Sequence, residues 1–325
     1  MGNGNITQKD IAEKLGVSIN TVSRALRDSE EISVPLRARI KELASEMGYI
    51  PNRVAYFMRG GKTNFVGIVV NSITNPYYTL CLNELISALG KKGYAPFIVM
   101  SKKNVLDFDT LTSLIMNHVC SILSFADIED NVRQYCKENG IPLLLVGVPP
   151  QGENIDAIFA DELYTGKVIA EEFFRSGRKH PCYIGTDVKQ SSDLRKTEFI
   201  RLLTAKGYPV GEHMVIFKER EAQKEALEHA ILSAKYDFFY CFNDEIASYV
   251  SEILEENAIK DYTLYGVDGT PKYLPICRKF NSIGYSFRRI AELVMQVLLK
   301  KLDGDTKYYQ IKYEPYLIYS KEERK

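Results

Sequence analysis

The feature that most constrains the fold is an alternation of near-continuous apolar runs with amphipathic stretches, beginning at Phe65. FVGIVVN, APFIVM, VCSILSF and IPLLLVGV read as strands, and 78–92, 107–117 and 131–139 between them carry apolar residues at helical spacing. Strands that are apolar at nearly every position are buried on both faces, which requires a parallel sheet covered by helices on each side. The pattern then restarts. DAIFA, CYIGT, MVIFK, FFYCF, TLYGV and NSIGY read as strands, with helices over 163–176, 194–206, 223–233, 244–256 and 287–302. The stretch 308–318 closes the chain as one or two β segments. Two such halves in series predict two α/β lobes with a cleft between them, and sheets of this kind hold ligands at the carboxyl ends of their strands.

The first fifty residues have a different texture. Ile6 to Leu26, ITQKDIAEKLGVSINTVSRAL, predicts two short helices pinched at Gly16. Thr7 and Asp10 form a capping pair, and Ile11, Ala12 and Leu15 recur as one apolar stripe. Gly16 supplies the stop, because a residue without Cβ enters the left-handed region at little cost. Ser18 caps the next helix, whose inward positions are Val22, Ala25 and Leu26. Between those positions Ile19, Asn20, Thr21, Ser23 and Arg24 present a face that can meet bases and phosphates. Two short helices with such a face describe a helix-turn-helix; an ordinary helical hairpin is the alternative that this stretch alone leaves open. A third helix starts at Ser33-Val34-Pro35, buries Leu36, Ile40, Leu43 and Met47, and ends at Gly48. Residues 52–59, between Pro51 and the Gly60-Gly61 pair, can form two helical turns, a length that is stable only when something packs on it. A plain linker is the other reading of that segment.

Composition narrows the function. The formal net charge is zero, yet residues 1–62 hold ten Lys/Arg against seven acids, a mildly basic head on a mildly acidic body. That distribution fits a small DNA-contacting module joined to a larger domain. Six cysteines are scattered without a C-x-x-C pair, so neither a metal site nor a disulfide framework is expected, and no cofactor is implied. No apolar leader and no run of 18 apolar residues are visible, so a cytoplasmic, nucleoid-associated protein without membrane contact is expected rather than a transported solute-binding protein. The chain has no G-x-S-x-G, no phosphate loop, no H-E-x-x-H, and only four His, none spaced as ligands, so catalysis is not expected. The end, YSKEERK, carries no leucine heptads, from which a dimer rather than a tetramer is expected.

DIAEKLGVSINTVSRAL, YIPNRVAYFMRGG and FVGIVV, with NPYY at 75–78, FNDEIA at 242–247 and YGVDG at 265–269, resemble the lactose/galactose repressor family of bacterial transcription regulators. The resemblance covers essentially the whole chain. It implies a helix-turn-helix head over 1–50, a hinge helix and linker over 51–62, and a two-lobed periplasmic-binding-protein-like body over 63–325. The N-lobe would comprise about 63–159 plus 286–312, and the C-lobe about 160–285 plus 313–325. It also implies a homodimeric repressor on a palindromic, double-stranded DNA operator, with affinity set by a small effector in the interlobe cleft. An effector-independent DNA binder is the alternative.

Residue by residue, the resemblance puts Ile19, Asn20 and Arg24 in the major groove. Asn pairs well with adenine and Arg with guanine, while Ile19 is limited to a thymine methyl. Thr21, Ser23 and Arg27 would hold phosphates, which position without specifying, and Thr7 joins them as a DNA contact. Asn52 and Arg53 would touch backbone. Met58 falls where the family places an apolar wedge that part-unstacks a base step in the minor groove. In the cleft, Arg195, Asn243 and Asp268 would meet the effector, with Tyr77, Tyr285 and Phe287 as walls. Surface pairing with Asp193 for Arg195, and a turn cap for Asp268, are the structural alternatives. The chain departs from the family's pattern in three places. Glu198 replaces a Gly, Tyr285 stands where Gln is common, and no aromatic lies between Lys218 and Lys235 where one often stacks on the effector. Sugar, sugar phosphate and nucleoside are therefore all open as effector classes.

Overall fold

The structure, a computed structural model, describes residues 6–50, 63–102, 104–186, 192–215, 220–274 and 279–320, with backbone alone for 192–193 and 220–224. The expected hinge with Asn52, Arg53 and Met58 lies outside the described residues, as does 216–218 of the expected MVIFK strand. The chain divides into two compact units, Met1–Thr63 and Asn64–Lys325.

The first unit holds three helices, α1 (Gln8–Leu15), α2 (Ile19–Leu26) and α3 (Val34–Glu46). Thr7 opens α1 with a reciprocal box: its N–H donates to Asp10 Oδ2 at 2.7 Å, and its hydroxyl accepts from the Asp10 N–H at 3.4 Å. Gly16 ends α1 at φ 66, the left-handed stop expected. Ser18 caps α2 by accepting the Thr21 N–H at 3.0 Å. The three helices meet over Ile11, Ala12, Val22, Ala25, Ile40 and Ala44. Leu26, Leu36, Leu43 and Met47 flank that core half-buried, because Ala44 takes the innermost place on α3.

In the second unit, β1 (Phe65–Val70), α4 (Pro76–Lys91), β2 (Ala95–Met100), β3 (Val105–Leu106), α5 (Phe108–Met116), β4 (Ser121–Ser124), β5 (Asp127–Ile128), α6 (Asp130–Glu138), β6 (Leu143–Val146) and β7 (Asp156–Ala160) come first. Then follow α7 (Glu162–Ser176), β8 (Pro181–Thr186), α8 (Ser192–Thr204), β9 (Gly211–Val215), α9 (Arg220–Ala234), β10 (Phe238–Cys241), α10 (Asp244–Glu256), β11 (Thr263–Asp268) and β12 (Asn281–Gly284). The chain closes with α11 (Phe287–Leu302), β13 (Gln310–Tyr313) and β14 (Tyr316–Ile318). One sheet has the order β13-β7-β6-β4-β1-β2, all parallel. The other has the order β14-β12-β11-β10-β8-β9, parallel except for the antiparallel edge strand β14. The chain passes between the sheets after β7, after β12 and after β13, so three crossings tie one lobe to the other.

Burial explains why these strands read as continuous apolar runs. Val66, Ile68 and Val70 pack under Leu82, Leu85 and Leu89 of α4, while Val69 and Ile122 face Leu111, Leu114 and Val132 on the opposite side. The second sheet repeats this, with Phe238 and Tyr240 against Phe173 and Phe199, and Phe239 and Leu264 against Val250 and Leu254. Each such side chain contributes about 1.5–3 kcal/mol when fully buried.

Three elements depart from the sequence reading. Helix α4 begins at Pro76 rather than 78, because Asn75 Oδ1 accepts the Tyr77 N–H at 2.9 Å and Pro76 sits in the first turn where no N–H is needed. Strand β9 spans Gly211–Val215, so it starts three residues before the expected MVIFK and shares Met214 and Val215 with it. It is an edge strand that exposes Glu212 and Met214, so its pattern alternates instead of running apolar. The small β3–β5 sheet pairs two residues with two, too short to carry a pattern.

Candidate functional site

Helix α2 presents the expected face. Ile19 is 48% exposed, Asn20 is exposed, and Thr21, Ser23 and Arg24 are half-buried. Most of these polar groups already have partners. The Thr21 and Ser18 hydroxyls lie 2.8 Å apart, and Arg27 donates to the Ser23 carbonyl at 3.1 Å and to its hydroxyl at 3.3 Å. The Thr7 hydroxyl, exposed, donates to Asp10 Oδ2 at 2.7 Å. Arg24 is ion-paired with Glu31, a residue the sequence reading did not single out. Glu31 lies in the polar connection DSEEIS, and its signal is only a carboxylate seven residues beyond an arginine. Asp28 anchors the same connection through Lys41 at 2.6 Å, and its carboxyl is held below the usual range by that bond.

The second site is a cleft at the carboxyl ends of strands from both sheets. Its described walls come from the segments after β1, β4, β6, β7, β10, β11, β12 and β13, and from α8. About 90 Å³ is open inside it. Arg195, Asn243, Asp268, Tyr77 and Tyr285 all line it, as the sequence reading expected. Phe287 does not. It is 2% exposed and packs edge-on behind Tyr77 with ring centres 5.7 Å apart, so it supports the wall without forming it. Gly147 lets Tyr77 into the cleft: its φ is 74, and a Cβ there would meet the Tyr77 hydroxyl at 2.7 Å.

Arg195 is 7% exposed, not a surface residue. Its ion-pair partner is Glu162, with Nε 3.7 Å from Oε2. That separation is too long for a hydrogen bond, and neither atom has a hydrogen-bond partner among the described residues. The guanidinium carbon stands 5.2 Å from the centre of the Phe242 ring. Asn243 caps α10 through Oδ1, which accepts the Ile246 N–H at 2.9 Å, so its amide Nδ2 is what it can offer the cleft. The Tyr285 hydroxyl is buried and makes no hydrogen bond within 3.5 Å to a described residue. Thr165 lies near it but donates to the Asp161 carbonyl at 3.1 Å.

Asp268 ends β11 at φ 114, a region a side chain rarely adopts. The turn that follows is held by Asp244 instead, which accepts from the Thr270 N–H at 2.7 Å, the Thr270 hydroxyl at 2.9 Å and the Ser282 hydroxyl at 2.6 Å. The turn-cap alternative for Asp268 therefore falls to its neighbour, and the Asp268 carboxylate accepts no hydrogen bond from a described residue. Burial pushes Asp268 well above the usual carboxylate range, and the Asp244 carboxylate adds to that shift while Arg195 opposes it. Asp244 itself is pushed up to about 7 by burial, against its three hydrogen bonds. Burial likewise raises Glu162, with Arg195 opposing.

Sequence reasoning missed Glu162, Tyr78, Phe125, Phe242 and Tyr313 on these walls. Glu162 directly follows the strand DAIFA, and Phe242 and Tyr78 sit inside FNDEIA and NPYY, so position at a strand's carboxyl end was the available signal. No cluster of candidate metal ligands occurs among the described residues, and no helix among them is long and apolar enough to cross a membrane.

Residues 7–52 match the family described as bacterial regulatory proteins, lacI family. The chain is 26% identical over 253 residues to the maltose regulon regulatory protein MalI of Escherichia coli (strain K12), covering 74% of this chain and 73% of that one. Its fold is similar to the lac repressor dimer bound to operator and the anti-inducer ONPF, with a TM-score of 0.83 at 19% identity over 97% of this chain and 98% of that one. A LacI family transcriptional regulator from Enterococcus faecium with bound ribose is similar over 78% of this chain and 96% of that one, at 17% identity and a TM-score of 0.69.

Proposed function

We propose that the chain, whose residues 7–52 match the lacI family of bacterial regulatory proteins, is a DNA-binding transcriptional repressor which binds a two-fold operator as a homodimer and changes its operator affinity when a small effector fills the interlobe cleft. The observation that carries the effector half is the convergence on the cleft of buried polar atoms with no hydrogen-bond partner among the described residues: Arg195 Nε, Glu162 Oε2 and the Tyr285 hydroxyl. Buried polar atoms without partners cost about 1–3 kcal/mol each, and a ligand that supplies the bonds recovers part of that cost. In the head, Asn20 reads adenine, Arg24 reads guanine under the orientation Glu31 imposes, and Ile19 touches a thymine methyl. Thr21, Ser23 and Arg27 hold phosphates.

The dimer is supported by an apolar edge on the first sheet. Ile98 and Met100 on edge strand β2 register beside Ile68 and Val70, on the face that α4 covers, yet both are exposed, as is Ile86 of α4. A second copy of the chain would cover them. Hinge contacts by Asn52 and Arg53, and the Met58 wedge at the operator centre, belong to the same proposal.

Selection of operators from random double-stranded DNA, with and without a cell metabolite extract, tests it. A two-fold site with a flexible central step is expected, whose enrichment the extract changes. Recovery of no preferred sequence would overturn the DNA half. Recovery of the same site with unchanged affinity under every extract would favour an effector-independent binder.

A further inference from the structure

We propose that the cleft is built for a cationic effector, a compact polyhydroxylated molecule carrying a protonated amine, and that it rejects phosphorylated or carboxylated ones. This deepens the effector reading above and rests on it.

The ionisable groups on the described walls are two carboxyls, Glu162 and Asp268, both raised by burial, and one guanidinium, Arg195. No lysine or histidine stands among them. Behind Asp268 lie the carboxylates of Asp244 and Glu245, which deepen the negative field at its side chain. Arg195 is set over Phe242 and turned toward Glu162 at 3.7 Å, an ion pair without a hydrogen bond. An anionic ligand that takes Arg195 competes with Glu162 for it in a buried site and also faces Asp268. A protonated amine meets the opposite situation. The Asp268 carboxyl, held above the usual range by burial, accepts no hydrogen bond from a described residue, and an ammonium brings three donors and a charge that favours its ionised form.

The remaining groups suit hydroxyls. Asn243 Nδ2 donates, and the unpartnered Tyr285 hydroxyl can donate or accept. The Tyr78, Phe125 and Phe242 rings supply faces against which a sugar ring or an ammonium packs. These three lie on the walls although no aromatic occurs between Lys218 and Lys235. The open space of about 90 Å³ is smaller than a cavity of about 150 Å³ that takes up benzene, so even a single ring requires some opening and a nucleoside requires much more.

Isothermal titration of the full chain with matched probes tests the assignment: glucose, galactose and mannose, their 2-amino-2-deoxy counterparts, and their 6-phosphates. At least one amino sugar is expected to bind about tenfold or more tighter than its neutral parent, with no heat from the phosphates. Asp268→Asn, which keeps shape and tolerates the same backbone, should bring amine and parent to within about twofold. Tightest binding by a phosphate, or equal binding of amine and parent by the unaltered chain, overturns the proposal. If that binding is lost in Tyr285→Phe, the cleft still holds the effector and only its charge class was wrong. No binding by any probe also overturns the proposal, and operator titration with metabolite extract then decides the wider reading separately.

Discussion

On α2 and at its C-terminal cap, Thr21, Ser23, Arg24 and Arg27 all find partners inside the head, and water reaches what is left over. In the cleft, Arg195, Glu162 and Tyr285 keep polar atoms that find no hydrogen bond among the described residues and are closed off from water. The two regions thus prepare for their ligands differently. A DNA-facing surface trades its internal bonds and hydration for phosphates and base edges at little net cost. A buried cleft holds an unfilled demand for hydrogen bonds, which makes its occupant a matter of stability as well as recognition.

Removing the fully bonded group beneath the cleft should have the largest effect. Asp244→Ala strands the Thr270 and Ser282 donors, and the body should lose about 3 kcal/mol or more in urea unfolding while the head's protection in hydrogen exchange is unchanged. Next comes the recognition face: Asn20→Ala should weaken operator binding by about 1–3 kcal/mol and relax the preference at one base pair per half-site, without changing the body's stability.

Titration should pull the regions apart. Asp244 holds its proton up to about pH 7 when folded but only to its ordinary 3.8 when unfolded. Between those values unfolding releases a proton, so this group's contribution favours the folded body at low pH and is lost as pH rises from about 4 through about 7. In the head, Asp10 and Asp28 are held low, Asp10 mainly by the Thr7 hydroxyl and Asp28 mainly by Lys41. Their contribution is present above their ordinary pKa and is lost as pH falls below about 4. Region-resolved hydrogen exchange across pH 4 to 8, corrected for intrinsic rates, should show the body weakening while the head does not; equal slopes would break the comparison. A smaller effect is expected at the first cap, where Thr7→Ala should cost the head about 1 kcal/mol. Smallest is Tyr285→Phe, which removes a hydroxyl without partners and should leave thermal stability unchanged or slightly raised.

The head was legible almost residue by residue, because caps, a left-handed glycine and a helical stripe are local signals read within four residues of each other. Glu31 escaped because its partnership with Arg24 spans a turn that no periodicity marks. The alternation of strands and helices in the body was legible because burial on both faces leaves continuous apolar runs. Edge strands such as β9, half wet, leave no such trace. The cleft was only half legible, since its walls gather from nine segments, and side-chain direction decides which residues face inward. Phe287 and Tyr285 are two residues apart, yet one lines the cleft and the other is packed behind Tyr77. Met58, Asn52 and Arg53 lie outside the described residues.

The most direct test of the account is the affinity of the full chain for its selected operator, measured by anisotropy with and without metabolite extract, for the unaltered chain, Asp268→Asn and Tyr285→Phe. Neither substitution removes a protein hydrogen bond, so neither should unfold the body. The account predicts that extract shifts the unaltered chain's affinity by about fivefold or more, and that both variants lose most of that shift while keeping their extract-free affinity. No shift in the unaltered chain, or the same shift in both variants, would contradict it.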